Sequence, residues 1–175
     1  RAAIAACVER AGREADLAVI EGVMGLYDGF GSEDESGSTA QLAKWLAAPV
    51  VLVLDVEAMA RSAGALALGY QRFDPELNLA GFVVNRLAGA SHRAWVQPAI
   101  ESATGLPVIG GLTRDEALDR LSLALEDTVV FGVTTNRSFL RRLIDLPETR
   151  TATFHTRLID EQIAGWSLGD ALHDT

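Results

Sequence analysis

The chain has 175 residues and a formal net charge of −9, and nearly half of its residues are apolar. That length supplies one domain with a substantial core, or one domain with an appendage. The acidic balance argues against duplex nucleic acid as a partner, because such binding depends on clustered lysine and arginine. The apolar runs are too short to span a bilayer, so we expect no membrane segment.

The single cysteine, Cys7, cannot form an internal disulfide, which fits a reducing cytoplasm. It lies in an alanine-rich stretch over residues 2–12 that has a helical pattern. Because free cysteines are among the most buried residues, we expect Cys7 to be a buried structural thiol.

Short apolar runs alternate with helical patterns through the first two-thirds of the chain. We predict four buried strands, over residues 17–20, 50–55, 79–85 and 106–112. Predicted helices lie between them, at residues 39–47, 59–70 and 91–104. This alternation predicts an α/β fold built on a doubly wound parallel sheet.

Polar side chains stand at the ends of three of these predicted strands. Glu21 follows the first strand, Asp55 ends the second and Asn85 ends the third. Ligands of such sheets bind in the crevice outside the carboxyl ends of the strands. We therefore expect a functional site at this edge of the sheet.

Glu21 and Asp28 are the acidic candidates for the site, and each has an ordinary alternative. A strand-end carboxylate such as Glu21 can hold Mg²⁺ beside nucleotide phosphates, whereas a Glu-Gly pair can simply turn the chain. Asp28 lies in a glycine-rich loop, residues 22–37, of a kind that can close around a phosphate. For Asp28 the alternative is a common Asp-Gly turn.

Three neutral residues are further candidates. The Asn85 amide offers both a donor and an acceptor, which the edge of adenine requires, although turn-forming and capping asparagines are commoner. Ser38 and Thr39 stand at a predicted helix start, where free N–H groups favour anions, and simple N-capping explains them equally well. The three histidines lie far apart without metal-ligand spacing, and we interpret them as surface or structural residues.

The phosphate-cradling pattern G-x-x-x-x-G-K-[ST] does not occur in this sequence. The only lysine, Lys44, lies in QLAKWLAAP, with no glycine-rich phosphate loop before it. Because the chain also starts without Met and within a helical pattern, we expect a fragment whose phosphate loop is supplied from elsewhere.

The segments up to about residue 114 resemble the cobyrinate (or hydrogenobyrinate) a,c-diamide synthases. The matching stretches are DLAVIEGVMGLYDGF, GSTAQLAKWLAAPVVLVLDVEAMARSAGALALGYQRFDP, LAGFVVNRLAG and GLPVIGGL, in unbroken order. The run VIEGVMGLYDG is the specific part, since a strand followed by an acid is shared with many phosphate-loop proteins. The resemblance implies a truncated parallel sheet of the P-loop NTPase, dethiobiotin synthetase-like type.

The resemblance also implies a reaction with ATP and Mg²⁺. ATP activates a side-chain carboxylate of the corrin, cobyrinate or hydrogenobyrinate, and ammonia released from glutamine then forms the amide. Glu21 would be a Mg²⁺ ligand, and Asp28 would be catalytic at the phosphate and the corrin carboxylate. Asn85 would contact adenine, while Ser38 and Thr39 would line the substrate side. The full enzyme would be cytoplasmic, and a homodimer is compatible with the resemblance.

The pattern changes after residue 113. We predict helices over residues 116–125 and 139–144 and a strand over 128–133. Residues 114–160 resemble the C-terminal domain of biotin carboxylase, through the runs GVTTN at 132–136, FL at 139–140 and HTR at 155–157.

We therefore divide the chain into a partial P-loop amidoligase domain over residues 1–113 and a small α+β appendage over residues 114–175. Our hypothesis is that the chain joins two unrelated gene pieces. No catalytic residue is assigned to the appendage, since it contains none of the nucleotide-binding machinery of biotin carboxylase.

Three functions remain open at this point. The leading one is a fragment of the amidoligase, inactive alone because the phosphate loop and the glutaminase domain are absent. A fragment of a biotin-dependent carboxylase is favoured only by the last third of the chain. The third is a catalytically dead nucleotide-binding module, which would bind Mg-ATP tightly without turnover.

Overall fold

The computed structural model describes residues 1–131 and 135–163, which fall into two compact units, Arg1–Gly111 and the described residues from Leu112 onward. Part of the expected GVTTN run, residues 132–134, and the whole end from 164 onward lie outside the described residues. The predicted strand over 128–133 therefore lies partly outside them, and its described part, 128–131, forms no strand. Within the described ranges, no helix is long and apolar enough to cross a membrane.

The first unit contains a three-stranded sheet and four helices. Their bounds are α1 (Ala2–Ala11), α2 (Thr39–Leu46), β1 (Val50–Asp55), α3 (Arg61–Phe73), β2 (Leu79–Leu87), α4 (Ala90–Thr104) and β3 (Val108–Thr113). The strand order is β1-β2-β3, and β1 pairs in parallel with β2. The Phe82 N–H donates to the Pro107 carbonyl at 2.9 Å, which joins β2 to the start of β3. The α/β class with a parallel sheet and flanking helices is confirmed.

The core of this unit lies between the sheet and the helices α3 and α4. Phe82 and Val84 of β2 are fully buried against Val96 and Ile100 of α4. Gly64 lets α3 and α4 approach closely, because a Cβ at this position would overlap the Ala99 carbonyl oxygen. The sheet is thereby covered on the face that carries these side chains, which fixes the loops at its carboxyl edge.

The predicted strand over residues 17–20 is wrong. This segment has no strand hydrogen bonds, and Leu17 and Val19 are 78% and 87% exposed. An apolar run becomes a strand only when a neighbouring strand accepts and donates its backbone hydrogen bonds. Along the described part of residues 1–112 the sheet therefore has three strands rather than the four expected, and Val53 and Ile109 are exposed on it.

The prediction that Cys7 is buried is also wrong. Helix α1 forms as predicted, but none of its residues is buried and the Cys7 thiol is exposed. Helical periodicity predicted the helix, which depends on local hydrogen bonds, whereas burial depends on a packing partner.

The second unit is helical where it is described. Its helices are α5 (Arg114–Asp127), α6 (Arg137–Asp145), α7 (Pro147–Arg150) and α8 (Leu158–Ile163). Thr113 and Glu116 form a reciprocal capping box at the start of α5. Arg150 joins α5 to α6 through Asp119 and Asp145. The predicted helices over 116–125 and 139–144 are confirmed.

Candidate functional site

The glycine-rich loop, residues 22–37, is held in place by Tyr27. The Tyr27 hydroxyl donates to the Tyr70 carbonyl at 2.6 Å, and its ring packs against those of Tyr70 and Phe73, with centroids 5.9 and 4.6 Å away. Leu26 is buried, and its carbonyl accepts from the Ala40 N–H at 2.9 Å. Burial raises the pKa of the Tyr27 phenol, and the nearby Asp74 carboxylate raises it further. The loop is thus fixed against α2 and α3.

Thr39 lies against the residue that follows Glu21. A Cβ added to Gly22 would stand only 2.6 Å from the Thr39 Oγ1, so the hydroxyl occupies the space that a side chain would need. Glu21 itself is exposed. Carboxylate and hydroxyl oxygens are the donors that Mg²⁺ prefers, and the ion keeps several waters besides. The Thr39 hydroxyl lies beside the backbone that follows Glu21, and among the described residues no group of three or more acidic, histidine or cysteine side chains that could hold a metal ion occurs.

Asp28 occupies the space left by a second glycine. Its N–H donates to the Gly25 carbonyl at 3.0 Å, and a Cβ on Gly25 would overlap the Asp28 Oδ2. The hydrogen bond closes a local turn over residues 25–28 rather than the expected Asp-Gly turn, and Asp28 stands at an exposed point of the loop. Gly22 thus leaves room for the Thr39 hydroxyl, and Gly25 leaves room for the Asp28 carboxylate.

Ser38 caps α2. It is buried, and its Oγ accepts from the Gln41 N–H at 3.1 Å. The Gln41 Oε1 in turn accepts from the Gly37 N–H at 3.1 Å. The capping interpretation of Ser38 is confirmed. Because a hydroxyl can donate while it accepts, the cap does not use the whole hydrogen-bonding capacity of Ser38.

Asn85 and Asp55 are direct register partners at the carboxyl ends of β2 and β1, where the strand pattern placed them. The Asn85 Oδ1 accepts from the Arg86 N–H at 2.9 Å, a contact between neighbouring residues of β2. Arg86 adopts a positive φ of 61° and pairs with Asp55 at 2.8 Å and with Glu57. The Glu57 N–H and the Arg86 guanidinium hold the pKa of Asp55 below its usual range.

His92 joins the two loops that follow β1 and β2. Its Nδ1 accepts from the Ala88 N–H at 3.0 Å, so the other nitrogen, Nε2, carries the proton and donates to the Met59 carbonyl at 2.5 Å. A pocket of about 460 Å³ opens between these loops. It is lined by Ala58, Met59, Ala60, Ala88, Ser91, His92 and Trp95.

Sequence reasoning assigned no site role to this pocket. The interpretation of His92 as a structural residue is confirmed, because its ring joins two loops through hydrogen bonds to their backbones. The signal that was missed is the position of His92 and Trp95 three residues apart, on one face of a helix that begins directly after a strand end.

Lys44 forms ion pairs with acidic residues of the first unit. Its Nζ lies 2.7 Å from Asp74 Oδ2 and also pairs with Glu35, with Glu76 at 3.9 Å. These hydrogen bonds raise the pKa of Lys44, and the same contact lowers the pKa of Asp74. Lys44 therefore serves as a structural ion pair in this fold.

The candidate residues fall into two groups. In the loop group, Thr39 lies beside the backbone that follows Glu21, and Asp28 is fixed six residues beyond Gly22 in the same loop. In the strand-end group, Asn85 lies beside Asp55. Both groups offer oxygen and amide functions of the kind that bind a metal ion or a polar ligand.

Comparisons with known proteins cover most of the chain. A family model described as an AAA domain matches residues 2–122, and one described as the biotin carboxylase C-terminal domain matches residues 87–161. The two matches overlap over residues 87–122. This overlap includes residue 114, near which the resemblance was expected to change from the diamide synthases to biotin carboxylase. No solved structure matches the chain.

The curated relatives share one printed name, cobyrinate a,c-diamide synthase. The protein from Listeria monocytogenes is 45% identical over 117 residues, which are 67% of this chain and 26% of that relative. The protein from Methanosarcina acetivorans is 48% identical, over 61% of this chain and 22% of the relative. The protein from Salmonella typhimurium is 51% identical, over 56% of this chain and 21% of the relative.

The chain spans about a quarter of the length of these relatives. Both resemblances seen in the sequence are confirmed, that of the first two-thirds to the diamide synthases and that of the tail to the biotin carboxylase C-terminal domain. With the AAA-domain match extending over more than half of its length, the chain belongs to the AAA domain family.

Proposed function

We propose that residues 1–113 form one wall of the active site of an ATP- and glutamine-dependent amidoligase. The enzyme converts the a and c side-chain carboxylates of a corrin, cobyrinate or hydrogenobyrinate, to amides in cobalamin biosynthesis. The names of the relatives support the reaction class. The observation that carries the proposal is the fixed glycine-rich loop, in which Gly22 and Gly25 leave room for the Thr39 and Asp28 oxygens.

Each candidate residue has a role in this proposal. Glu21 would hold Mg²⁺ through its carboxylate, Asp28 lies where the phosphate and the corrin carboxylate react, and Thr39 lines the substrate side. Asn85 contacts adenine through its amide, and Ser38 lines the substrate side while it caps α2. Bound Mg-ATP supplies the phosphoryl group that activates the carboxylate and the positive charge that offsets the charge of the phosphates.

We propose further that the chain alone is inactive. Phosphoryl transfer needs a cradle of backbone N–H groups and a lysine at the β and γ phosphates. The sequence lacks that pattern, and its one lysine is held by Asp74 and Glu35. Ammonia derived from glutamine, a cytoplasmic location and a homodimeric assembly belong to the whole enzyme in this proposal.

Calorimetry with Mg-ATP tests the loop site. We expect the purified chain to bind Mg-ATP weakly, because the phosphate cradle is missing, and without releasing phosphate; chelation of Mg²⁺ should weaken the binding further. Removing a metal-supporting group changes affinity on the order of tenfold or more, so Glu21→Gln and Gly22→Ala should raise the Kd by about that factor.

The matched control is Gly31→Ala, in the same loop, because a Cβ at Gly31 meets no atom within 4 Å. It should bind Mg-ATP like the parent chain. Equal Kd values for Gly22→Ala and Gly31→Ala would refute a Mg-ATP site formed by Glu21 and the loop at Gly22. Phosphate release above the blank would refute the inactivity of the chain.

A further inference from the structure

We propose that the pocket between the loops following β1 and β2 binds the flat corrin ring, with Trp95 as the wall on which the ring lies. This inference rests on the proposed function, and it names the surface that takes the substrate. The pocket stands at the carboxyl edge of the sheet, where ligands of parallel α/β folds bind. Its volume of about 460 Å³ falls within the range of small-molecule sites.

The lining of the pocket suits an apolar ring. Five of its seven residues are alanine, methionine or tryptophan, and Trp95 is 68% exposed. Both ring nitrogens of His92 are engaged with backbone groups, so the His92 ring adds a flat surface rather than a free hydrogen-bonding edge. A purine base needs paired donors and acceptors at its edge, which this lining hardly supplies. The face of a macrocycle, in contrast, can bind through apolar contact without hydrogen bonds.

The pocket is also preformed. His92 fixes the Met59 carbonyl of one loop and the Ala88 N–H of the other. Behind these loops, α3 and α4 pack so closely at Gly64 that no side chain fits there. A ligand that enters a rigid site loses less free energy in ordering the protein, which favours binding.

Two arginines adjoin lining residues in the sequence and offer positive charge to a ring that carries carboxylate arms. Arg61 directly follows the lining residue Ala60, and Arg93 directly follows His92. Both arginines are exposed, and the Arg93 Nε donates to Gln97, a neutral partner. In a chain with a net charge of −9, Arg61 and Arg93 supply exposed positive charge on the chain segments that line the pocket.

The experiment is a titration of the full chain with cobyrinate, followed through the visible absorption of the corrin, at low and high salt. We expect the parent chain to bind and Trp95→Ala to raise the Kd at least tenfold, since loss of a stacking ring is typically of that size. Trp95→Phe, which retains an aromatic face, should stay within about threefold of the parent. Arg61→Gln should weaken binding and reduce the salt dependence of the Kd.

The control is Ile109→Ala, which shortens an exposed apolar side chain of the first unit outside the pocket. It should leave the Kd unchanged. Circular dichroism checks the fold of each variant. If Trp95→Ala does not fold, the cobyrinate Kd of Arg61→Gln, a substitution at an exposed residue, is compared with that of the parent chain instead.

The possible outcomes separate the two proposals. Parent binding that Trp95→Ala and Arg61→Gln leave intact would overturn the pocket and leave the proposed function standing. Failure of the parent chain to bind cobyrinate would overturn the pocket, whereas the proposed function is tested separately by Mg-ATP binding. A loss of Mg-ATP affinity in Trp95→Ala, with cobyrinate affinity unchanged, would assign the pocket to the nucleotide and also overturn the inference.

Discussion

Replacing Lys44 by methionine tests the ion pair that joins α2 to the end of α3. The Lys44 Nζ lies 2.7 Å from Asp74 Oδ2, and the two side chains are only 18% and 17% exposed. Methionine keeps most of the length and apolar stem of lysine but removes the charge. Asp74 would then remain largely covered without its main partner, and a covered charge without a partner destabilises the folded state.

The expected magnitude follows from this burial. Hydrogen bonds between charged groups contribute about 1.5–3 kcal/mol, against about 0.2–1 kcal/mol for fully exposed ion pairs. Since the Lys44–Asp74 pair is mostly covered, we expect Lys44→Met to lower the free energy of unfolding by about 2 kcal/mol. With a urea m-value of about 2 kcal/mol/M, the unfolding midpoint should fall by about 1 M.

Urea unfolding followed by tryptophan fluorescence measures this shift, because Trp45 and Trp95 both belong to the first unit. The matched control is Arg86→Met, since Arg86 and its partner Asp55 are both more than half exposed. Its midpoint should move much less. Equal shifts for the two variants, or no shift for Lys44→Met, would refute the assignment of a covered ion pair.

The same pair predicts the pH dependence of stability. The folded-state pKa of Asp74 is lowered, so its contribution is present above the unfolded value of about 3.9 and is lost as the pH falls through the folded value. The folded-state pKa of Lys44 is raised, so its contribution is present below about 10.4 and is lost only at more alkaline pH. Lys44→Met should therefore flatten the acid limb of the urea midpoint below about pH 4.

Two further predictions concern packing and the glycine-rich loop. Gly64→Ala should lower the unfolding free energy by about 1–3 kcal/mol, because its Cβ would overlap the Ala99 carbonyl. Gly69→Ala, in the same helix with open space around it, should be neutral or raise that free energy by up to about 1 kcal/mol. Equal urea midpoints would contradict the close packing. Tyr27→Phe removes the hydrogen bond to the Tyr70 carbonyl, so stability should fall by about 1 kcal/mol and proteolysis at residues 22–37 should accelerate. Unchanged cleavage would show that the hydroxyl does not hold the loop.

Local sequence signals predicted much of the first unit. Ser38 before a helical pattern predicted the start of α2, and the β-branched run at residues 50–55 predicted β1 at its observed bounds. Such signals work because capping and strand-forming preferences depend on residues within a turn or two. The meeting of Asp55 and Asn85 followed from topology, since the carboxyl ends of parallel strands share one edge.

The same apolar pattern failed at residues 17–20. Leu17 and Val19 have the composition of a strand, but a strand exists only where a neighbour completes its hydrogen bonds. The burial of Cys7 failed for a related reason, because a helix can form locally while its burial requires a partner. The sequence indicated a preference for a strand at residues 17–20 and for burial at Cys7. Tertiary packing determined that neither preference was realised.

The amino-acid sequence by itself determined the α/β class, the family and the types of chemical group available to the site. Tertiary packing determined which of these groups meet: Lys44 with Asp74, Thr39 with the backbone at Gly22, and His92 with the loop at Met59. These contacts join positions from 17 to 33 residues apart. Periodicity and capping carry information over a few residues only, so long-range contacts of this kind become visible when the chain is folded.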